Sequence, residues 1–192
     1  NNPKEMSKTI SEIKSYGYEL SAVDINYSGD FWEYNEEIKA FVPPLTSIKG
    51  VGDKAVTEIF SNRPYLNIED LLWDNDGKWR HSKMNKTAFT SLTKIEAFNS
   101  LKDMPSKYQA YPVGLENHKQ LHDLILDNYA ILRKGYYGIT KTAYNRAIKK
   151  GETPKPILEI LVPQYKGKED WQRNEKIKNY FDLSNDASSD LL

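Results

Sequence analysis

The chain has 192 residues, of which 27 are acidic and 27 are basic, so its formal net charge is zero. This length suits one domain or two small ones and is enough to bury a real core. No apolar run approaches the roughly 20 residues that a membrane-spanning helix needs, and residues 1–10 lack the apolar stretch of a signal peptide. The chain has no cysteine, which excludes disulfides and disfavours a structural zinc site. We therefore expect a cytoplasmic protein with no membrane partner, no metal site and no cofactor of its own.

The charge balance restricts how the chain could bind nucleic acid. DNA-binding domains are usually basic, because affinity rises with each phosphate that is neutralised. Any DNA contact of this neutral chain must therefore be local. Residues 78–94 carry five cations and no Asp or Glu, and they supply an expected secondary basic patch at Lys83 and Lys86. A solvated face explains such a run equally well on charge alone.

The N-terminal part of the chain predicts a helix followed by a β-hairpin. Apolar side chains recur at helical spacing over residues 3–16, and Gly17 stands where a C-terminal cap belongs. Two short β-prone runs, residues 31–34 and 38–42, flank a polar turn and are typical of a hairpin. Pro43 ends the hairpin, because proline donates no hydrogen bond to a strand ladder.

The central part predicts a series of short helices. A helical turn begins at Leu45, and a helix follows over residues 53–61 with Asp53 as its N-cap. Residues 68–73 and 84–92 predict two further helices. The helix that Asp53 opens is expected to bury Ala55, Val56, Ile59 and Phe60.

The second half predicts a helical C-terminal region. Residues 117–133 have the pattern of an amphipathic helix, and residues 136–150 predict another after a break at Gly138. The apolar run 157–162 should pack against the rest of the chain. Residues 184–192 are rich in Ser, Asn and Asp and predict a mobile tail.

Candidate metal sites are weak. His118 and His122 have the i, i+4 spacing of a metal pair, but Lys119 stands where a zinc protease has Glu, so we expect a surface helix. Asp74 begins a stretch similar to a calcium loop, but position 12 of that loop is Asn85 and not a bidentate Glu. A turn is the better interpretation there.

We expect no catalytic residue in the chain. Asp24 and Asp30 have no convergent partner, and neither a serine nucleophile motif nor a phosphate-binding loop is present. Most of the thirteen Tyr and four Trp residues should lie in the core. Tyr136 and Tyr137 are the pair that we expect to be exposed, and exposed rings can stack on the bases of a single strand.

The segment Lys49-Gly50-Val51-Gly52 is the most informative part of the sequence. Two glycines two residues apart let the backbone turn tightly and approach a ligand closely. The helix that follows presents N–H groups without helical partners and the positive end of its dipole, which together bind anions. No side chain there suits base reading, so a contact would position DNA without specifying sequence. The expected phosphate-binding residues are Lys49, Gly50, Val51, Gly52, Asp53 and Lys54. Ile48, Val51, Ala55 and Ile59 fit the apolar framework that packs two short helices around such a hairpin.

Residues 47–60 resemble the helix-hairpin-helix of the C-family bacterial replicative polymerases, the alpha subunit of DNA polymerase III. Upstream, residues 10–26 resemble the family's helix, glycine and P-D-[IV]-N stretch, with Val23 in place of the proline. Downstream, residues 84–101 resemble the family stretch [VL]-N-[KR]-x-x-L-E-x-L-I-x-x-G-A-F-D-x-L, with Glu96 in place of its glycine.

The resemblance covers residues 8–102 and implies a fold. It implies a mainly α chain with a tandem helix-hairpin-helix unit at residues 45–102, preceded by a small β-hairpin and followed by a helical C-terminal region. Residues 1–44 then resemble the end of the fingers, residues 103–183 are the helical region, and residues 184–192 are the tail.

The resemblance also implies a role in DNA replication, in a bacterium or a phage. In the family this region contacts the new duplex behind the active site and lies beside the sliding-clamp contact. The chain is then a non-catalytic part of a DNA-directed DNA polymerase, a nucleotidyltransferase whose Mg²⁺-binding aspartates lie upstream. Its expected partners are duplex DNA, the rest of the polymerase and the sliding clamp. The tail residues Asp190, Leu191 and Leu192 resemble the end of the family's clamp-binding peptide Q-x-[SD]-[LM]-F, with Ser188 at the Gln position.

Two alternatives stay open. In the first, the hairpin is only a structural corner, and residues 117–192 dock onto another protein of a replication complex. In the second, the chain is an independent DNA-processing enzyme, such as a nuclease that uses a helix-hairpin-helix for targeting. The absence of a carboxylate or histidine constellation makes the second alternative the weaker one.

Overall fold

The computed structural model describes residues 3–101 and 118–164. Over these residues the fold is mainly helical, with a two-stranded antiparallel sheet before the predicted helix-hairpin-helix, so the predicted fold class is confirmed. The elements are α1 (Pro3–Ser15), β1 (Glu33–Asn35), β2 (Ala40–Val42), a 3-10 turn (Leu45–Ser47), α2 (Asp53–Asn62), α3 (Ile68–Leu72), α4 (Lys86–Lys94), a second 3-10 turn (Asn99–Leu101), α5 (His118–Asp127), α6 (Tyr129–Leu132), α7 (Lys141–Lys149) and α8 (Leu158–Gln164). None of the described helices has the length and apolar character needed to cross a membrane.

The described residues divide into two compact units. The first unit comprises residues 3–64 and 83–100, and the second comprises residues 65–82, 101 and 118–164. Each unit is therefore built from chain segments that are distant in sequence. The four-part domain division predicted from the sequence stays a prediction.

Helix α1 and the small sheet open the first unit. The buried side chains of α1 are Met6, Ile10 and Ile13. In the sheet, Tyr34 pairs with Phe41. The N–H of Phe41 donates to the carbonyl of Glu19, and the N–H of Ser21 donates to the carbonyl of Phe41, both at 2.9 Å. The segment before the sheet therefore covers the second edge of β2, which leaves fewer backbone groups without partners.

Helices α2 and α4 supply much of the core of the first unit. Phe89 of α4 packs on Phe98 with ring centroids 5.0 Å apart, and both rings are fully buried. Of the four side chains predicted to face the core from α2, Ala55, Val56 and Ile59 are buried. Phe60 is only half-buried, and the Arg63 guanidinium lies over its ring at 4.3 Å from the centroid.

A turn at residues 24–28 joins the N-terminal segment to α2. The Asp24 carboxylate accepts hydrogen bonds from the N–H groups two and three residues ahead, at 2.7 and 3.2 Å. Arg63, at the end of α2, donates to the carbonyl of Ser28 at 2.6 Å. Burial raises the pKa of the Asp24 carboxyl above its ordinary value, since desolvation disfavours the charged form.

Aromatic side chains hold the second unit together. The indole N–H of Trp73 donates to the carbonyl of Leu132 at 2.9 Å, and its ring meets Tyr137 edge to face at 5.7 Å. Trp79 meets Tyr129 in the same way at 5.1 Å. These contacts tie the segment after α3 to α6, and edge-to-face pairs of this kind add stability beyond the area that they bury.

The prediction of a single helix at residues 117–133 is wrong, because the structure has two helices there, α5 and α6. The break lies at Asn128, whose side-chain amide donates to the carbonyl of Leu124 at 2.9 Å. Asn side chains compete with the backbone for such bonds and so favour helix ends.

The helix predicted at residues 136–150 begins later than expected, as α7. Tyr136 and Ile139 exchange two backbone hydrogen bonds of 3.0 and 2.9 Å, and this tight turn occupies the residues that were predicted to open the helix. The apolar run at 157–162 packs as predicted, since Leu158 of α8 is fully buried.

Candidate nucleic-acid interface

The predicted hairpin is a tight connection between the first 3-10 turn and α2. Ile48 and Val51 anchor its two ends in the core, and the N–H of Val51 donates to the carbonyl of Ile48 at 3.2 Å. Lys49 and Gly50 lie exposed between these anchors. All four residues of the predicted apolar framework are buried, namely Ile48, Val51, Ala55 and Ile59, so this part of the prediction is confirmed.

The two glycines of the hairpin have different structural roles. Gly50 has a φ of 92°, and a Cβ there would lie 2.8 Å from Ser91 Oγ and 3.3 Å from Thr87 Cγ2 on α4. The turn and its packing therefore require Gly50. Gly52 has a φ of −80°, which any residue adopts, and a Cβ there would meet nothing within 4 Å. Because Gly52 has no side chain, space is left beside the start of α2, and no packing contact requires glycine at this position.

The start of α2 is open. The expectation that Asp53 caps α2 is wrong, because Gly52 is the N-cap and makes no side-chain cap bond. Asp53 is already the first helical residue of α2. Among the described residues, none accepts a hydrogen bond from the N–H groups of residues 52–55, and the first helical bond runs from Val56 N–H to the Gly52 carbonyl at 3.0 Å. Four N–H groups without described partners and the positive end of the helix dipole thus lie at the start of α2, and together they suit an anion.

Two cations flank these donors. Lys49 and Lys54 are exposed, and neither is in an ion pair with any residue that the structure describes. The carboxylate of Asp53 is also exposed, and it opposes an anion at the same position. The local balance is therefore one positive charge in addition to the backbone donors.

The secondary basic patch lies at the start of α4 in the same unit. The backbone N–H groups of Lys83 and Met84 donate to the carboxylate of Glu58 on α2, at 2.9 to 3.0 Å. This contact fixes the segment that leads into α4, and it leaves the side chains of Lys83 and Lys86 exposed. The hairpin packs on Thr87, so it adjoins the turn of α4 that carries Lys86.

The match with known families falls on this region. Residues 17–108, just under half of the chain, match a family model described as the helix-hairpin-helix motif. The chain carries a helix-hairpin-helix. The match extends from the segment before the small sheet to beyond α4, so it includes every predicted DNA-contacting residue up to Lys86. No curated protein matches the chain, and the motif by itself does not specify a polymerase.

The predicted stacking pair is not an exposed pair, and that expectation is wrong. Tyr137 is only 9% exposed, because its ring packs on Trp73. Tyr136 is half-buried and stacks on Tyr144, with centroids 4.3 Å apart and planes 23° apart. One face of each stacked ring is therefore already covered.

The remaining candidates do not form a metal centre in the described part of the chain, where no group of three or more His, Asp or Glu could hold a metal ion. His122 is 1% exposed, which corrects its expected surface position, since it shares the buried face of α5 with Ile125. The side chain of His118 lies outside the described residues. Asp74 forms the predicted turn, accepting from the N–H groups two and four residues ahead. The clamp-peptide residues Asp190, Leu191 and Leu192 lie outside the described residues.

The longest acid-free basic segment of the chain was not among the sites predicted from the sequence. Residues 128–151 carry six cations and no Asp or Glu, which is a longer acid-free run than the one around residues 78–94. The six are Arg133, Lys134, Lys141, Arg146, Lys149 and Lys150. A search for windows that lack acidic residues would have found this segment.

Proposed function

We propose that the first unit binds the backbone of duplex DNA, independently of sequence, at the hairpin and the start of α2. The observation that carries this proposal is the open N-terminus of α2, with the empty space beside Gly52. A phosphate oxygen accepts hydrogen bonds from such N–H groups and is favoured by the helix dipole. Lys49 and Lys54 add charge, and no nearby side chain is suited to reading base edges.

The proposed contact extends to the basic patch at the start of α4. With Lys83 and Lys86, the region offers four exposed lysines in one unit. If each lysine neutralises one phosphate, this contact contributes about −3.6 to the slope of the logarithm of affinity against the logarithm of salt. Binding is therefore expected to be strongest at low salt and nearly equal for duplexes of different sequence.

We also propose a setting for this contact, as the non-catalytic part of a C-family replicative DNA polymerase in a bacterium or a phage. Support comes from the resemblance of residues 8–102 to the family, in order and with similar spacing, and from the motif match over residues 17–108. In such a parent enzyme, nucleotidyl transfer uses Mg²⁺ and aspartates outside this chain, and this chain holds the duplex product. The rest of the polymerase and the sliding clamp, through residues 190–192, would be its protein partners.

Two substitutions at Gly52 test the hairpin contact without disturbing the fold. Asn and Asp have nearly the same shape and are both good N-caps, so Gly52→Asn and Gly52→Asp should be at least as stable as the parent protein. Either side chain occupies the N–H groups, and Asp also repels phosphate. In fluorescence anisotropy at low salt, we expect duplex affinity to fall several-fold for the Asn variant and about tenfold or more for the Asp variant.

Matched variants control for charge. Asn67 is the N-cap of α3, so Asn67→Asp adds the same charge at a helix start in the second unit and should leave affinity nearly unchanged. Asp53→Asn should tighten binding a few-fold, because it removes a carboxylate beside the proposed phosphate. Unchanged affinity of a folded Gly52→Asp protein would contradict the proposal and favour the hairpin as a structural corner of a protein-interaction module. Metal-dependent cleavage of DNA by the purified chain would indicate a nuclease.

A further inference from the structure

The second unit carries a cationic surface that the hairpin does not explain. Residues 128–151 contain six cations and no carboxylate, in a chain whose net charge is zero. All six side chains are exposed, and within the described residues none of them is in an ion pair. Like charges held close together repel one another and destabilise the folded state. Six exposed cations with no carboxylate among them form a surface whose charge is complementary to an anion.

Helix α7 places half of these cations on one face. Thr140 caps the helix by accepting a hydrogen bond from the N–H of Ala143 at 3.2 Å. The half-buried side of α7 consists of Ala143, Tyr144 and Ala147. With 3.6 residues per turn, the opposite side presents Lys141, Thr142, Asn145, Arg146 and Lys149, all exposed. This side, which we call the α7 face, carries three cations, a hydroxyl and an amide, and it has no carboxylate.

The dimensions of the α7 face suit a DNA strand. Lys141 and Lys149 are separated by eight residues, or about 12 Å along the helix axis. One strand of duplex DNA presents about three to four phosphates over that length. Arg146 lies between the two lysines, so three cations are spread over three or four phosphates.

The neighbouring aromatic side chains are already in contact with other side chains. Tyr144 and Tyr136 stack on each other at 4.3 Å, and the Lys78 ammonium lies 5.8 Å from the centre of the Tyr136 ring. Proteins that bind single strands combine a charged groove with aromatic rings on which bases stack. A surface that offers cations, and whose neighbouring rings are stacked on each other, favours the backbone of a duplex.

An anionic membrane is a poorer match. A helix that lies in a membrane surface buries a continuous apolar face among the lipid chains. The apolar side of α7 is already half-buried within its own unit, and Ile148 is the large apolar residue of this helix that is exposed, at 53%. The α7 face thus has the charge that a lipid headgroup would attract but lacks a free apolar side to insert.

We propose that the α7 face is a second contact for the backbone of duplex DNA, separate from the hairpin of the first unit. The choice of DNA as the anion rests on the proposed function. The presence of the cations on the α7 face is observed in the structure and does not depend on that proposal. The contact is expected to be independent of sequence and to depend steeply on salt, because side-chain cations supply it.

The test uses the full chain with three neutralising substitutions on α7, Lys141→Gln, Arg146→Gln and Lys149→Gln. A matched variant, Lys4→Gln, Lys8→Gln and Lys14→Gln, changes the net charge equally on α1, where Glu5 and Glu12 lie among the lysines. Anisotropy with one labelled duplex, over a salt series, should show that the α7 variant binds about tenfold more weakly at low salt and has a slope smaller by two to three. The α1 variant should retain more than half of the parent affinity.

Further arms separate this proposal from its alternatives. The α7 variant should lose affinity in the parent and in the Gly52→Asp background alike, since the two contacts are separate. A loss in the α7 variant without a loss in Gly52→Asp would support the α7 face and overturn the hairpin contact. The α7 proposal would be overturned if the α1 and α7 variants lost affinity equally, or if the α7 variant kept the parent affinity. It would also be overturned if the chain bound single strands more tightly than the duplex. Binding to anionic vesicles that depends on the α7 cations, with unchanged duplex affinity, would overturn it as well.

Discussion

The hairpin of the first unit and the α7 face of the second unit offer phosphate two different kinds of partner. At the hairpin the donors are backbone N–H groups, whose positions are set by the buried side chains of Ile48 and Val51. On the α7 face the donors are long side chains on an exposed helix. Backbone donors are already ordered before binding, whereas Lys and Arg lose rotamer entropy when they are held. The hairpin contact should therefore depend on shape, and the α7 contact should depend on charge and salt.

Both regions depend on a glycine with a positive φ, but for different physical reasons. A Cβ at Gly50 would run into the side chains of Ser91 and Thr87, and side chains can move. A Cβ at Gly135, which precedes the turn into α7, would run into the backbone carbonyl of Ile139. That carbonyl is held by the N–H of Tyr136 at 3.0 Å, so it cannot move without breaking the turn.

The largest effect is expected from Gly135→Ala. The left-handed backbone and the clash with the Ile139 carbonyl together should lower the free energy of unfolding by about 3 kcal/mol or more. Gly151→Ala is the control, because Gly151 also has a positive φ but a Cβ there would meet nothing within 4 Å. Its cost should be about 1 kcal/mol. Chemical unfolding followed by circular dichroism measures both, and equal stability of the two variants would show that the turn tolerates a side chain.

Gly50→Ala should have the second largest effect, about 2 kcal/mol in the free energy of unfolding. Its control is Gly17→Ala, where φ is also positive and the space is open. Adding Ser91→Ala removes the Oγ atom that the new Cβ would meet, so the double variant should recover part of the loss. If Ser91→Ala restores nothing, the cost comes from the backbone conformation and the contact with Thr87. The measurement is the same denaturant series, with duplex affinity recorded in parallel.

The smallest effect is expected from Asp24→Asn, which keeps the acceptor of the turn and removes a buried charge. Burial raises the pKa of Asp24 above its ordinary 3.8, so the folded state favours the protonated form. The contribution of this group to stability is complete below pH 3.8 and is lost as pH rises through the folded-state pKa. The variant should therefore gain stability relative to the parent as pH rises above 4, by less than about 1 kcal/mol. Thermal unfolding at pH 4 to 7 tests this, and a constant difference would contradict it.

The local elements of the first unit were predictable because their signals are local. Helix α1 follows from apolar residues at helical spacing, and Ile48, Val51, Ala55 and Ile59 are buried as their pattern around the hairpin indicated. The cap of α2 was not predictable in the same way. Asp53 is a good N-cap by type, but the extended backbone at Gly52 places it one position inside the helix.

The second unit was harder to predict because its packing joins segments that are far apart in sequence. Tyr136 and Tyr137 were expected to be exposed, yet they pack on Tyr144 and Trp73. The helix expected at residues 136–150 lost its first turn to the hydrogen bonds between Tyr136 and Ile139. The charge of residues 128–151 was visible in the sequence, but only the fold shows which of those cations share a face.

By itself the sequence determined the helix-hairpin-helix, because two glycines, flanking apolar anchors and a following helical pattern act within about fifteen residues. The net charge of zero also led to the expectation that any DNA contact is local, and this stays a prediction. Only the tertiary structure decided that a Cβ at Gly50 would meet other side chains while one at Gly52 would meet open space, because that difference depends on the side chains of α4. The type of a residue sets which interactions it can make, but its neighbours in space decide whether it packs in the core or is available to a ligand.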